Sequence, residues 1–198
     1  MYRKCNTCSF ISKFNKNEEL KCKQCGSADE LTIYPVQAAV DFLERVDTNI
    51  YDLDDPDVLI DLYNFEGFET TSLFLCTAYE VLLETLISDE LNSIKIPNYV
   101  SELLSNSNQG QEKMGRLFAK LVGEKSIKAV FRLISSEDFH DKIKEIIGAR
   151  NSYIHGNPRA FKDSDLEAED LKIIADSMMD IFVILNNSFV NKEHKLSS

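Results

Sequence analysis

Four of the five cysteines fall in two Cys-x2-Cys pairs, "CNTC" and "CKQC", with thirteen residues between Cys8 and Cys22. No other feature limits the fold of this chain so tightly. A Cys-x2-Cys turn can aim two thiolates at one ion at ~2.3 Å, and a hairpin of about a dozen residues can return a second pair to complete a tetrahedron. Gly26 follows the second pair directly and offers the backbone freedom that such a turn needs. Disulfides are the competing reading, but they persist in oxidising compartments. The start, "MYRKCNTC", lacks the apolar core of a secretory signal. The expected location is therefore the cytoplasm, and the expected use of Cys5, Cys8, Cys22 and Cys25 is a zinc site.

Four thiolates fill a tetrahedral shell and leave no position for water, so the site is expected to be structural, not catalytic. The intervening "SFISKFNKNEEL" reads as a short strand, a polar turn and a return. The arrangement resembles a zinc ribbon. About 30 residues cannot fold on a core of their own, so the ion is what would order them. This gives a first domain over 1–34 and a second over 35–198. Cys76, inside "SLFLC", reads as a small core residue.

Beyond Pro35 the apolar positions recur at three and four residues, which predicts helices. Val36, Ala39, Val40, Leu43 and Val46 make the first, and "DDPDVLIDLYNF", with Asp55 as cap and Pro56 in its first turn, a second. A long third, about 67–92, is apolar around most of its circumference and so belongs in the middle of a bundle. Pro97 and the polar "SNSNQGQ" over 105–111 break the pattern, the latter as a loop. Helices resume with "EKMGRLFAKLVG", "SIKAVFRLIS" and "SEDFHDKIKEIIGARNSYIHG", the last capped by Ser136, and end with one over about 163–191. The expected fold is mainly α: a bundle of five to seven helices with a small β ribbon before it.

The chain is 43% hydrophobic and 28% charged, the balance of a soluble globular protein. No uninterrupted apolar run approaches the ~20 residues that span a bilayer, so no membrane partner is expected. Net charge is −11, distributed unevenly. Residues 1–28 carry six basic residues against two acids, 29–111 two against seventeen, and 112–132 six against two. The basic zones are either solvated faces or guides for a nucleic acid, since attraction acts over ~8 Å and not over the whole molecule. For the second role the candidates are Lys113, Arg116, Lys120, Lys125, Lys128 and Arg132.

The end of the penultimate helix, "IIGARNSYIHGNP", gathers Arg150, Asn151, Tyr153 and His155 ahead of Gly156 and Pro158. Phe139, Ile143, Ile146, Ile147, Arg150 and Ile154 keep helical spacing, so Arg150 rides beside the apolar stripe. Arg150 and His155 stand about 140° apart around an ideal helix. Gly156 permits a left-handed cap and Pro158 forbids continuation, so an unwinding last turn is the expected means of bringing the two together. The plain alternative is an arginine paired with an acid and a histidine favoured by the helix dipole. His140 and His194 have no partners at instructive spacing and are expected at the surface. No Gly-rich phosphate loop, HExxH or GxSxG is present.

"RNSYIH", an arginine, a polar residue, three variable residues and a histidine near the end of a bundle helix, resembles the motif of the HEPN (higher eukaryotes and prokaryotes nucleotide-binding) family. The resemblance covers roughly 36–192 and includes "AYEVLLE" in the long central helix; the family also has members with an amino-terminal zinc ribbon. It implies a metal-independent endoribonuclease with catalytic Arg150, Asn151 and His155, supported by Glu80 and Tyr153. It further implies an RNA substrate, a homodimer that joins two motifs, and a toxin–antitoxin or anti-phage setting with a neutralising partner. A non-catalytic nucleotide- or RNA-binding module is the alternative. A zinc-ribbon regulator that binds DNA fits less well, given the acidic strip over 29–111.

Overall fold

The computed structural model describes residues 2–15, 18–28, 31–34, 67–107, 110–161 and 163–190. The helices expected over 36–46 and from Asp55 lie outside the described residues. What is described is mainly helical, with a three-stranded antiparallel sheet before the helices. The strands are β1 (Tyr2–Cys5), β2 (Ile11–Lys13) and β3 (Leu31–Tyr34), in the order β2-β1-β3. Tyr2 stands opposite Lys13 on one side and Tyr34 on the other. The described helices are α1 (Gly67–Ser93), α2 (Asn98–Ser107), α3 (Gln111–Leu121), α4 (Ile127–Leu133), α5 (Glu137–Ile154) and α6 (Ala168–Phe189).

Three elements depart from the sequence expectation. A helix, α2, occupies 98–107, where Pro97 and the polar run suggested an interruption. Pro97 needs no N–H at a helix start, and its carbonyl accepts the Val100 N–H at 2.8 Å. At the far end Ser107 Oγ donates to Leu103 O at 2.6 Å, so polar residues hold the last turn. The final helix begins at Ala168, not near 163. A turn precedes it, in which Ser164 Oγ donates to Phe161 O, and the Asp170 carboxylate accepts the Glu167 N–H at 2.9 Å. Ser136 stands at the N-cap of α5 without a side-chain capping bond, whereas Ser126 caps α4 by accepting the Ala129 N–H.

The chain divides into two compact units. One comprises Met1–Gln37, Glu80–Ser135 and Asp180–Ser198, and holds the sheet, α2, α3, α4 and the C-terminal halves of α1 and α6. Its core contains Ile11, Phe14, Leu83, Leu86, Phe118, Phe131 and Phe182, all buried. Burying each such side chain contributes about 1.5–3 kcal/mol before the cost of ordering it. The other comprises Ala38–Tyr79 and Ser136–Met179, with Leu75, Ile143, Ile146, Leu171 and Met178 fully buried. α1 is long and apolar enough by length and composition to cross a membrane, although charged residues interrupt its apolar runs. About half of that window, 56%, is already buried within the protein.

The ribbon is fastened within its unit by side chains far away in sequence. Asn187 of α6 makes two hydrogen bonds to the Ile11 backbone, and Asn186 Nδ2 donates to Ser9 O at 3.0 Å. Lys4 pairs with Asp89 of α1 at 2.6 Å, and the Tyr2 hydroxyl donates to Asp180. Burial and the neighbouring Asp180 carboxylate raise the Tyr2 hydroxyl's pKa, which keeps it the donor in that bond.

Candidate functional site

The two Cys-x2-Cys turns repeat one backbone pattern. Cys5 N–H donates to Phe10 O and Cys22 N–H to Ser27 O, each five residues on. Ser9 N–H returns to Cys5 O and Gly26 N–H to Cys22 O, each from four residues on. The residue at that fourth place takes a left-handed backbone in both turns, with φ of 56° at Ser9 and 74° at Gly26. Glycine suits that conformation; serine adopts it at a cost.

The outcome is a four-sulfur cluster. All four Sγ atoms lie within 4.8 Å of one another, with Cys8 and Cys22 at 3.5 Å and Cys5 and Cys25 at 3.8 Å. A tetrahedron with bonds of ~2.3 Å has edges of about 3.8 Å, so the four sulfurs fit one ion. Burial raises the pKa of the Cys5 thiol, but N–H groups of Cys8 and Thr7 outweigh it and bring it down to about 7. The Gln24 N–H points at Cys22 Sγ from 3.4 Å. Cys5, Cys8, Cys22 and Cys25 could therefore bind a metal ion such as zinc. Cys76 is buried on α1, as its apolar surroundings implied.

The "RNSYIH" stretch lies in the other unit, at the C-terminal end of α5. The helix stays regular through Ile154 and closes in a Schellman turn. Gly156 N–H donates to Tyr153 O and Asn157 N–H to Ser152 O, with φ of 97° at Gly156. Asn157 then accepts the Arg159 N–H on its side chain, which sets the direction of the return. The last turn thus does not unwind. Arg150 Nη1 donates to Asn151 Oδ1 at 3.0 Å, while the buried Arg150 Nε has no hydrogen-bond partner among the described residues. His155, the C-cap, is exposed, and no hydrogen bond or ion pair among the described residues joins it to Arg150.

No family model, curated protein or solved structure matches this chain.

The remaining candidate residues take varied positions. Tyr153 packs its ring on Phe161 at 5.6 Å, and Phe161 meets Phe68 edge-on at 5.8 Å. Those two phenylalanines, which the sequence reading did not single out, anchor the segment returning from the motif. Phe161 is a lone aromatic in a polar return and Phe68 one of many apolar residues in α1, weak signals both, and only the fold shows that they meet. Glu80 belongs to the unit that lacks the motif. His140, expected at the surface, is buried at 7% exposure with Nδ1 2.9 Å from Asp141 Oδ1. It lies in the first turn of its helix beside the buried Phe139, and an imidazole tolerates burial when a neighbouring group bonds it. Lys113, Arg116, Lys120, Lys125 and Arg132 are exposed and Lys128 is half-buried, all in the ribbon's unit.

Proposed function

We propose that this chain is an endoribonuclease of HEPN type in which Arg150, Asn151 and His155 from two copies form one composite centre. The observation that carries the reading is the end of α5. There Arg150, its Nη1 bonded to Asn151, and the exposed His155 stand five residues apart at the end of a helix closed by Gly156. Within one copy Arg150 and His155 are not bonded, which is why the proposal needs a second.

The chemistry requires no metal at the reacting phosphate. His155 takes the proton of the ribose 2′-hydroxyl, and O2′ bonds to phosphorus. Arg150 steadies the charge that builds on the non-bridging oxygens of the phosphorane. The bond from phosphorus to O5′ then breaks, with the second copy's imidazolium protonating the leaving oxygen. The products carry a 2′,3′-cyclic phosphate and a 5′-hydroxyl. Cys5, Cys8, Cys22 and Cys25 hold zinc as a structural ion. An activity of this kind in the cytoplasm needs restraint, so a neutralising partner or a phage-dependent trigger belongs to the same reading.

The test is incubation of the purified chain with labelled RNA in the presence of a chelator. Arg150→Ala and His155→Ala are each expected to lower cleavage about 100-fold or more. Cleavage surviving in either variant sinks the assignment.

One observation favours a second reading, a nucleotide-binding module that does not cut. The unit holding the motif carries seven Lys/Arg against twenty Asp/Glu, an environment that repels a long polyanion more than a mononucleotide. That reading predicts saturable nucleotide binding, lost in Arg150→Ala, with no cleaved product.

A further inference from the structure

α3 has two opposed faces. Gln111, Gly115, Phe118 and Ala119 are buried on one, where a methyl group on Gly115 would sit 3.3 Å from Ile127 of α4. Lys113, Arg116 and Lys120, at steps of three and four, form a stripe about 10 Å long on the other. All three are exposed. Arg116 has only an i,i+4 pair with Glu112 at 3.5 Å, with the two side chains 62% and 86% exposed, a contact worth a few tenths of a kcal/mol at most. Among the described residues Lys113 and Lys120 have no ion-pair partner.

The ribbon, the other basic zone, is different. Lys4 pairs with Asp89, Lys21 with Glu19 and Lys23 with Glu18, while Lys13 lies over the Tyr2 ring. Its charge is largely answered internally. The unit that contains both zones has fifteen Lys/Arg against thirteen Asp/Glu, so it is the electropositive one. It also leaves Tyr99 67% exposed.

We propose that the Lys113, Arg116 and Lys120 stripe of α3 binds the phosphate backbone of a single-stranded nucleic acid, independently of the "RNSYIH" motif. Three cations on one straight helix face can follow a flexible strand, and contacts to phosphate carry no base specificity. An exposed tyrosine in the same unit suits unstacked bases, which a duplex does not offer.

The experiment uses the full-length chain and fluorescence anisotropy with labelled oligouridylate, oligodeoxythymidylate and a duplex of equal length, across a salt series. Three phosphate contacts predict a slope of about −2 in log affinity against log salt, roughly a 20-fold loss between 50 and 200 mM. The two single strands are expected to bind alike and the duplex more weakly. Lys113→Gln with Arg116→Gln and Lys120→Gln, all exposed and so compatible with folding, is expected to weaken binding at least 10-fold and flatten the slope. Lys144→Gln, an exposed lysine of the other unit, is expected to leave binding unchanged, and oligodeoxythymidylate, which has no 2′-hydroxyl to be attacked, separates this proposal from the catalytic one. Equal binding by the triple variant overturns the proposal. So does tighter binding of duplex than strand, or displacement by polyglutamate, which would mark the stripe as a site for acidic peptides.

Discussion

The Asn187 side chain satisfies both backbone polar groups of Ile11: its Oδ1 accepts the N–H at 2.8 Å and its Nδ2 donates to the carbonyl at 2.9 Å. β2 is an edge strand, and an amide at the end of α6 stands where a fourth strand would. Asn187→Leu leaves both Ile11 groups without their partner, and unmade bonds at a part-buried site cost about 1–3 kcal/mol. The expected outcome is a loss of about 2 kcal/mol in urea unfolding. An unchanged midpoint would show that water replaces the amide freely.

Ser9 holds a left-handed backbone at φ 56°, and the bonds it makes in the turn among the described residues are those of its carbonyl and N–H. Ser9→Gly removes a penalty of about 1–2 kcal/mol and adds less than 1 kcal/mol of unfolded-state entropy. A gain of about 0.5–1 kcal/mol is expected on balance, with Ser9→Val moving the other way. Thermal unfolding of the three proteins checks the order.

Metal content gives a third test. One ion per chain is expected by elemental analysis, and Cys22→Ser is expected to abolish it. Cobalt substituted at the site is expected to show the visible bands of tetrahedral thiolate coordination. Chelation is expected to lower protection of the Cys5–Phe10 and Cys22–Ser27 turn amides from hydrogen exchange more than that of β2, which Ile11, Phe14 and the Asn187 bonds still hold to its unit. A chain purified without metal and equally protected would contradict this.

Lys142 of α5 and Asp170 of α6 pair at 2.9 Å within one unit. Burial raises the Asp170 carboxyl's pKa, but the Glu167 N–H and the Lys142 ammonium outweigh it and hold it below the usual carboxylate range. A depressed folded-state value contributes stability above the unfolded value of ~3.9 and loses it as pH falls through the folded one. Asp170→Asn is therefore expected to be less stable at neutral pH and to converge with the wild type below about pH 4. Urea midpoints measured across that range decide it; a difference that persists in acid would point to packing instead.

What the sequence made legible was local. The Cys-x2-Cys spacing foretold the sulfur cluster because each turn is set by a few adjacent residues, and Gly156 with Pro158 foretold the end of α5. Periodicity located α1, α3, α4 and α5. It missed α2, whose Tyr99 and Leu103 stay exposed at 67% and 65%, apolar positions that break the expected stripe. The grip of Asn186 and Asn187 on the ribbon was illegible for a different reason. It joins residues about 176 positions apart, and an asparagine pair near a helix end looks like any solvated terminus. For the motif, residue order predicted the helix end but not which side chains meet there. That depends on the regular final turn and the Schellman closure.

The four cysteines differ in what surrounds them: Cys5 and Cys22 are buried, Cys8 is intermediate and Cys25 is exposed. A competing chelator or an alkylating agent consequently meets Cys25 before the other three. Loss of the ion would begin with release of that thiolate, and maleimide labelling followed by peptide mapping would find Cys25 modified first.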